Sequence, residues 1–432
     1  MFYSLIVFLL IYPYFFTCKL IPDSTLDLNE VAYHNEPSEI YLGSPSIVRL
    51  SSGRLIASHD FFGVGCKANP TNVSVYFSDD NGESWSLLSY IKHSYWITLT
   101  VYKNMIYAIG VDNDVNGSIV IHRSNDDGKT WIYNGNDDGI ILFYGRFATG
   151  PTPIAIGNQV MYRAIEYWPS PSRWPTDFQA GIISCNLSKF TENGEDDDPI
   201  MNSKNWRLTP PVSFNKDWMK ESYPFLLEPG FLEGNVVILP KPSSKNEIRV
   251  LNVVRFNSLP FSNLAIILEL NQTTNNLTFL SVIKFPGGMT KFTIRYDPIT
   301  QTYLSFVNPV VSPVDPYQRN ILSLSYTKDL INLSNWNILA DRLLYDDTGL
   351  TSIDSLHYTG FHYVDWQFDQ LSLLSNQSSC IDWNCDGGSH IIYLIRTSYR
   401  GANSFHNSNR ITYKVLKNYR RLIKQHQLKL NS

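Results

Sequence analysis

Ser124-Asn125-Asp126-Asp127-Gly128-Lys129-Thr130-Trp131 has a near copy 46 residues upstream, Ser78-Asp79-Asp80-Asn81-Gly82-Glu83-Ser84-Trp85. Both read Ser-x-Asp-x-Gly-x-Ser/Thr-Trp. An Asp at the third position can accept backbone N–H bonds across a hairpin loop, and Gly supplies the positive φ that a tight turn needs. The hydroxyls can close side-chain to backbone bonds, and the Trp ring can pack between neighbouring sheets. None of these roles requires a ligand, so the octapeptide reads as a structural turn. The informative part is the period, because 46 residues is about one four-stranded blade and repetition at that length marks a β-propeller. A weaker echo, SYTKDLINLSNW from Ser325 to Trp336, keeps the Ser, an Asp and the Trp at wider spacing.

Outward from the octapeptides, short apolar, β-branched or aromatic runs recur between Gly, Asn, Asp and Pro. SVYFS, MIYAIGV, SIVIHR, NVVILP, IRVLNVV, LAIILEL and HIIYLIR are examples. Helical periodicity is hard to find, and this pattern predicts an all-β fold. Hydrophobic content of 43% is ample for a core, and 17% charged residues argues against general disorder. The 14% aromatic share, with 26 Tyr and 10 Trp, suits pleated sheets and carbohydrate-facing surfaces. A net charge of -4 without a basic stripe interleaved with aromatics gives no reason to expect nucleic acid. The basic run from Lys414 to Lys429 reads as a solvated tail, residues 416–432.

The chain begins MFYSLIVFLLIYPYFFTCKL. The apolar run Phe2 to Phe16, broken by Pro13, is short for a membrane span and suits the core of a signal peptide over residues 1–18, with an uncleaved anchor as the alternative. Asn-x-Ser/Thr acceptors at Asn72, Asn116, Asn186, Asn271, Asn276, Asn332 and Asn376 agree with secretory passage. The expectation is a secreted or lumenal monomer with no stable membrane insertion once the signal is removed. Cys66, Cys185, Cys380 and Cys385 then remain, and their three possible pairings stay open. Cys380 and Cys385 flank Ile-Asp-Trp-Asn, where a local staple is plausible, and no partners at metal-ligand spacing accompany them.

The repeated Ser-x-Asp-x-Gly-x-Thr-Trp boxes resemble the Asp boxes of the sialidase (neuraminidase) superfamily. Segments 43–63 (GSPSIVRLSSGRLIASHDFFG), 151–167 (PTPIAIGNQVMYRAIEY), 231–240 (FLEGNVVILP), 285–297 (FPGGMTKFTIRYD) and 360–369 (GFHYVDWQFD) extend the resemblance over most of the chain. It implies a single six-bladed β-propeller over residues 19–415. It also implies an exo-glycosidase of a terminal acidic sugar, with a Tyr nucleophile, a Glu that draws off the phenolic proton, a carboxylic acid/base and three Arg that grip the substrate carboxylate. No metal or organic cofactor is needed for that chemistry. The alternative is a carbohydrate-binding, lectin-like propeller that has lost activity.

Residue by residue, the resemblance assigns Glu233 (E-G-N-V-V) as the base, Arg255 and Arg319 as two clamp arginines, and Tyr363 (G-F-H-Y-V-D-W) as the nucleophile. The stretch comparable to the family's first Arg is Gly43-Ser44-Pro45, so Gly stands in its place. The loop that usually carries the acid has no Asp or Glu between Phe61 and Phe77, and Asp60, preceded by His59, is the nearest candidate. Arg163 and Glu166 are further candidates, although strand alternation puts them on opposite faces unless a bulge intervenes. Arg295 could supply the missing guanidinium, and Asp365 and Trp366 could line the funnel. Arg396, His406 and Asn409 could reach it from the closing blade, and the aromatics of residues 167–175 could form a sugar-stacking lip.

Overall fold

The computed structural model describes residues 29–34, 39–68, 72–114, 117–132, 140–188, 198–240, 247–312, 315–331, 336–344, 352–369 and 389–431. The expected signal segment lies outside these residues, as do Asn116, Asn332, Asn376, Cys380 and Cys385. Among the described residues, Cys66 and Cys185 form no disulfide. No helix among the described residues is long and apolar enough to cross a membrane.

All sheets are antiparallel. β1 (Asn29–Tyr33) and β2 (Tyr41–Leu42) lead into a four-stranded sheet of β3 (Ser46–Arg49), β4 (Leu55–His59), β6 (Asn72–Ser78) and β7 (Ser86–Lys92), with β5 (Phe61–Phe62) pairing β2 beside it. A nine-stranded sheet follows: β8 (Tyr95–Tyr102), β9 (Met105–Val111), β10 (Gly117–Ser124), β11 (Ile140–Ala148), β12 (Ala155–Gly157), β13 (Val160–Tyr167), β14 (Gln179–Asn186), β15 (Trp206–Leu208) and β16 (Val212–Ser213). Then come two four-stranded sheets, β17 (Gly230–Pro240) to β20 (Asn276–Lys284) through β18 (Ile248–Asn257) and β19 (Leu264–Asn271), and β21 (Thr293–Asp297) to β24 (Asn337–Leu344) through β22 (Thr302–Val307) and β23 (Leu322–Thr327). The last sheet holds β25 (Gly360–Phe368), β26 (Ile391–Ser398) and β27 (Arg410–Leu416), and β1 completes it at its edge. The first and last described strands thus share one sheet, which ties the ring shut.

The arrangement is that of a propeller. β3 touches β8, β12 and β13 touch β17, β17 touches β21, β21 touches β25, and β25 touches β3. Apolar clusters fill the spaces between successive units. One of them, with Tyr107, Ile109 and Ile121 against Met161, Ile165 and Ile183, packs the two halves of the nine-stranded sheet face to face. Those halves are joined along β11 and β13 only at Phe147↔Tyr167 and Ala148↔Glu166.

Both octapeptides form the expected turn. Ser124 Oγ donates to Asp126 Oδ1 at 2.9 Å and accepts from Gly128 N at 2.8 Å, while Thr130 gives its N–H and hydroxyl to the two Asp126 oxygens at 2.9 and 2.7 Å. Ser78, Asp80, Gly82 and Ser84 repeat every one of these bonds. Gly82 and Gly128 both sit at φ 87, where a Cβ would be strained. Trp131 is buried between the first sheet and β8–β9, and Trp85 meets Tyr413 edge to face.

The C-terminal residues correct one expectation. Instead of a solvated tail, Tyr419–Asn431 form helix α1, with Tyr419 and Ile423 in the core beside the last two sheets. The basic residues that suggested solvation include the anchor. Arg420 grips Asp297 through two bonds of 2.9 and 3.0 Å, Tyr419 donates to the same carboxylate at 3.0 Å, and Tyr326 meets His426 at 2.9 Å. A charged face on one side does not prevent docking when apolar residues recur on the other.

Candidate active site

Three strands that line the ring carry the same irregularity. In β8 the register slips between Tyr95 and Thr98, in β17 between Phe231 and Gly234, and in β25 between His362 and Asp365, each time with one extra residue on that strand. Such bulges re-aim side chains that a regular strand would send into the sheet-to-sheet packing. The bulged segments contain Trp96, Glu233 and Tyr363. Trp96 and Tyr363 adopt φ 51 and 53, a conformation that costs bulky residues about 1–3 kcal/mol and persists only where the surroundings impose it.

At Tyr363 those surroundings are identifiable. The next carbonyl, that of Val364, accepts from Lys291 Nζ at 2.8 Å and Thr293 Oγ1 at 2.9 Å, and Lys291 Nζ also donates to Thr293 Oγ1 at 2.8 Å. Lys291 is buried, and burial pushes its pKa down to about 8. The re-aimed phenol donates to Glu233 Oε1 at 2.9 Å. Arg255 Nη1 reaches Glu233 Oε1 and Oε2 at 3.2 and 2.9 Å and Tyr363 Oη at 3.2 Å, while its Nε donates to the Met289 carbonyl at 3.0 Å. Burial pushes the Glu233 carboxyl up, but the Arg255 charge and the donated bonds outweigh it and hold the pKa below the ordinary value. Burial and the Glu233 charge push the Tyr363 phenol up. An ionised carboxylate therefore sits against a neutral phenol, as proton withdrawal from a Tyr nucleophile requires.

Two more guanidinium groups converge on the Tyr363 ring. Arg319 lies 5.9 Å from its centroid and Arg396 4.9 Å, with Arg396 also 4.1 Å over Phe62. Burial, joined by the charge of Arg255, pushes Arg319 down to about 10. Arg396 comes from β26, so the closing sheet supplies the third guanidinium. Arg295 does not: it bonds the Trp366 carbonyl and pairs with Asp365 at 3.4 Å. Asp365 is in turn a strut between sheets, accepting from Ser46 Oγ at 2.9 Å and Ile47 N at 3.0 Å. Trp366 is fully buried and donates to the Thr293 carbonyl at 2.8 Å.

Arg163 and Glu166 take opposite faces of a regular β13, as alternation requires. Arg163 donates to the Trp96 and Gly150 carbonyls at 3.2 Å and to Thr98 Oγ1 at 3.1 Å, tying β13 to β8. Glu166 Oε1 accepts from Gly234 N at 2.8 Å, directly behind Glu233, and burial raises its pKa well above the ordinary value.

Asp60 is 2% exposed. Its Oδ1 accepts from Ser44 N at 2.7 Å and its Oδ2 from Trp96 N at 2.9 Å, which pins the first sheet to the bulge of β8. A Cβ on Gly43 would lie 1.6 Å from Asp60 Oδ1, so Gly43 and the Asp60 carboxylate form one packing unit. His59 bonds the Asp60 carbonyl at 2.9 Å and stacks on Tyr76. Trp174, expected in a lip, is 56% exposed, and the carbonyl of Pro175 beside it abuts Gly230 at the start of β17. Lys291, Trp96, Phe62 and His362 lie in no motif that would have singled them out.

These neighbours make a pH prediction. Burial raises Asp60 from 3.8 to about 6 and lowers His59 from 6.5 to about 4. Between pH 4 and 6 the fold holds the Asp60 proton that the unfolded chain has released, so this contribution falls as pH rises. Over nearly the same window the unfolded chain holds the His59 proton that the fold excludes, so that contribution rises. Each amounts to about 3 kcal/mol, with opposite sign. Relative to wild type, Asp60→Asn is expected to gain stability from pH 4 to 6.5 and His59→Gln to lose it, as read by urea unfolding at both pH values. Parallel profiles in the two variants would refute the assignment.

No family model matches this sequence, and no curated protein matches it. By backbone shape the chain is similar to a Hadza microbial sialidase, with a TM-score of 0.51 at 13% identity over 90% of this chain and 68% of that one. It is similar to the Trypanosoma rangeli sialidase at 0.50 and 12%, over 93% of this chain and 60% of that one. A Penicillium chrysogenum alpha-L-arabinanase complexed with arabinobiose gives 0.48 and 14%, over 91% and 98%. At such identities the likeness to the two sialidases is one of fold.

Proposed function

We propose that the protein is a sialidase-like exo-glycosidase acting on a terminal acidic sugar, built as a six-bladed propeller. The blade number comes from counting the nine-stranded sheet as two blades, because its halves pack face to face like the other neighbours. The observation that carries the functional reading is the hydrogen-bonded Tyr363–Glu233 pair beneath Arg255, Arg319 and Arg396. Arg319 and Arg396, only 5% and 4% exposed, have no carboxylate partner among the described residues. An unneutralised buried cation is costly, and a substrate carboxylate would offset that cost while being held in bidentate fashion.

In this reading Glu233 takes the phenolic proton as Tyr363 Oη bonds to the anomeric carbon and the aglycone leaves with the electron pair of the broken bond. Water then attacks the same carbon, freeing the sugar and returning the proton to Tyr363. Asp60 is given a supporting part, because both its oxygens are already engaged. Protonation of the leaving group then falls to solvent, which favours aglycones of low pKa. Action on secreted or lumenal glycans as a monomer belongs to the same proposal, and the exposed acceptors Asn186, Asn271 and Asn276 support it.

An aryl-glycoside panel tests this. Turnover is expected for an aryl N-acetyl-α-neuraminide, with an alkyl neuraminide at least about a hundredfold slower in the absence of acid catalysis. An aryl α-L-arabinofuranoside, neutral at the same place, is expected to be inert. Turnover of the arabinofuranoside alone would reject the acidic-sugar reading. The enclosure of Asp60 favours a second, lectin-like reading, which predicts saturable binding of the acidic sugar and no turnover of any member.

A further inference from the structure

The buried arginines of this fold differ in what accepts their hydrogen bonds. Arg49, Arg123 and Arg255 each meet a carboxylate at 2.8–2.9 Å. Arg163 lacks one, but its acceptors are two carbonyls and a hydroxyl in the wall behind the site. Arg319 and Arg396 also lack a carboxylate, but their guanidinium groups lie against the Tyr363 ring. Arg319 Nη1 donates to His362 Nδ1 at 3.0 Å. Arg396 Nη2 donates to the His406 carbonyl at 2.6 Å and faces His406 Nε2 at 3.5 Å, and its Nε donates to Ser408 Oγ at 3.0 Å. The rings of Tyr363, Phe405 and Phe62 cover the guanidinium faces.

A guanidinium can only donate, so the imidazole nitrogen it meets must be an acceptor, and an imidazole with an acceptor nitrogen is uncharged. Burial and the flanking Arg396 and Arg319 charges hold His362 well below its ordinary pKa, and the same two charges bear on the more open His406. The two rings stand 6.5 Å apart, so the arginines and histidines form one cluster. A carboxylate in either position would orient its arginine equally well, but would also neutralise it.

We propose that His362 and His406 are specificity-determining positioning residues: they orient Arg319 and Arg396 through neutral acceptors and leave both charges for the carboxylate of the substrate sugar. This rests on the acidic-sugar reading above. It adds that the preference for an acid over its uncharged counterpart is set by the charge of the side chains behind the arginines.

The test compares binding of N-acetylneuraminic acid and its methyl ester, two probes that differ in that charge, by calorimetric titration of the full chain. Wild type is expected to prefer the acid by about tenfold or more, the scale of one well-placed charge-assisted contact. His362→Asn keeps a neutral acceptor and is expected to hold the acid/ester ratio within about threefold. His362→Asp is expected to lower the ratio about tenfold while affinity for the ester changes little. A ratio retained in His362→Asp, or equal losses for both probes, overturns the proposal and leaves the acidic-sugar reading standing. No preference in wild type overturns that reading and the proposal with it. His362 is fully enclosed, whereas His406 is exposed, so His406→Asp carries the same expectations if His362→Asp does not fold.

Discussion

Tyr363→Phe is expected to remove measurable turnover of an aryl neuraminide while leaving the fold and the binding of the free acid intact. The phenolic oxygen is the reacting atom, and its loss deletes a bond-forming partner without changing the ring that Arg319 and Arg396 flank. Glu233→Gln is expected to lower kcat by about 10²–10⁴, the usual worth of a positioned proton acceptor. It also replaces an ionised partner of Arg255 with a neutral one, so a fall in stability accompanies it, whereas Tyr363→Phe leaves the Arg255–Glu233 ion pair in place. The double variant should be no slower than Tyr363→Phe, because the two residues act as one unit. Single-turnover kinetics with thermal unfolding as a control reads all three. Persistent turnover in Tyr363→Phe would transfer the nucleophile elsewhere and end the assignment.

What could be read in advance follows the range of the interactions. The turns at Ser78–Trp85 and Ser124–Trp131 were legible because the hydrogen bonds that define them close within the octapeptide. The Tyr363–Glu233 pair spans 130 residues, and only the resemblance of short segments to a known family could join them. The bulges were hidden, since neither Phe-His-Tyr-Val nor Tyr-Trp-Ile carries the Gly that often marks positive φ. Those bulges decide which side chains enter the funnel. One extra residue sends Tyr363 inward, while Asp365 becomes a strut and takes Arg295 with it. Arg396 then stands where Arg295 was expected, because β26 pairs His362 with Arg396 beside the bulge. Charge patterning misled at residues 416–432 for a simpler reason: a docked helix and a solvated tail can have the same composition, and only the spacing of Tyr419 and Ile423 separates them.

Gly43→Ala is expected to destabilise the protein by about 3 kcal/mol or more, although Ala is the smallest possible change there. The added Cβ would lie 1.6 Å from Asp60 Oδ1 and 2.7 Å from its Cγ, so the carboxylate would have to leave. Its departure strands Ser44 N and Trp96 N, each buried donor costing about 1–3 kcal/mol, and releases the tie between the first sheet and the bulge of β8. Asp60→Ala removes the same acceptor directly and should cost a similar amount. The two changes are therefore expected to be strongly non-additive, with Gly43→Ala/Asp60→Ala no less stable than Asp60→Ala alone and a coupling of about 2–3 kcal/mol. Urea unfolding of the four proteins at pH 7 completes the cycle. Additive losses would mean that Asp60 does not fill the space beside Gly43. The predicted coupling would show that the Asp60 carboxylate occupies the space into which any side chain at position 43 would extend.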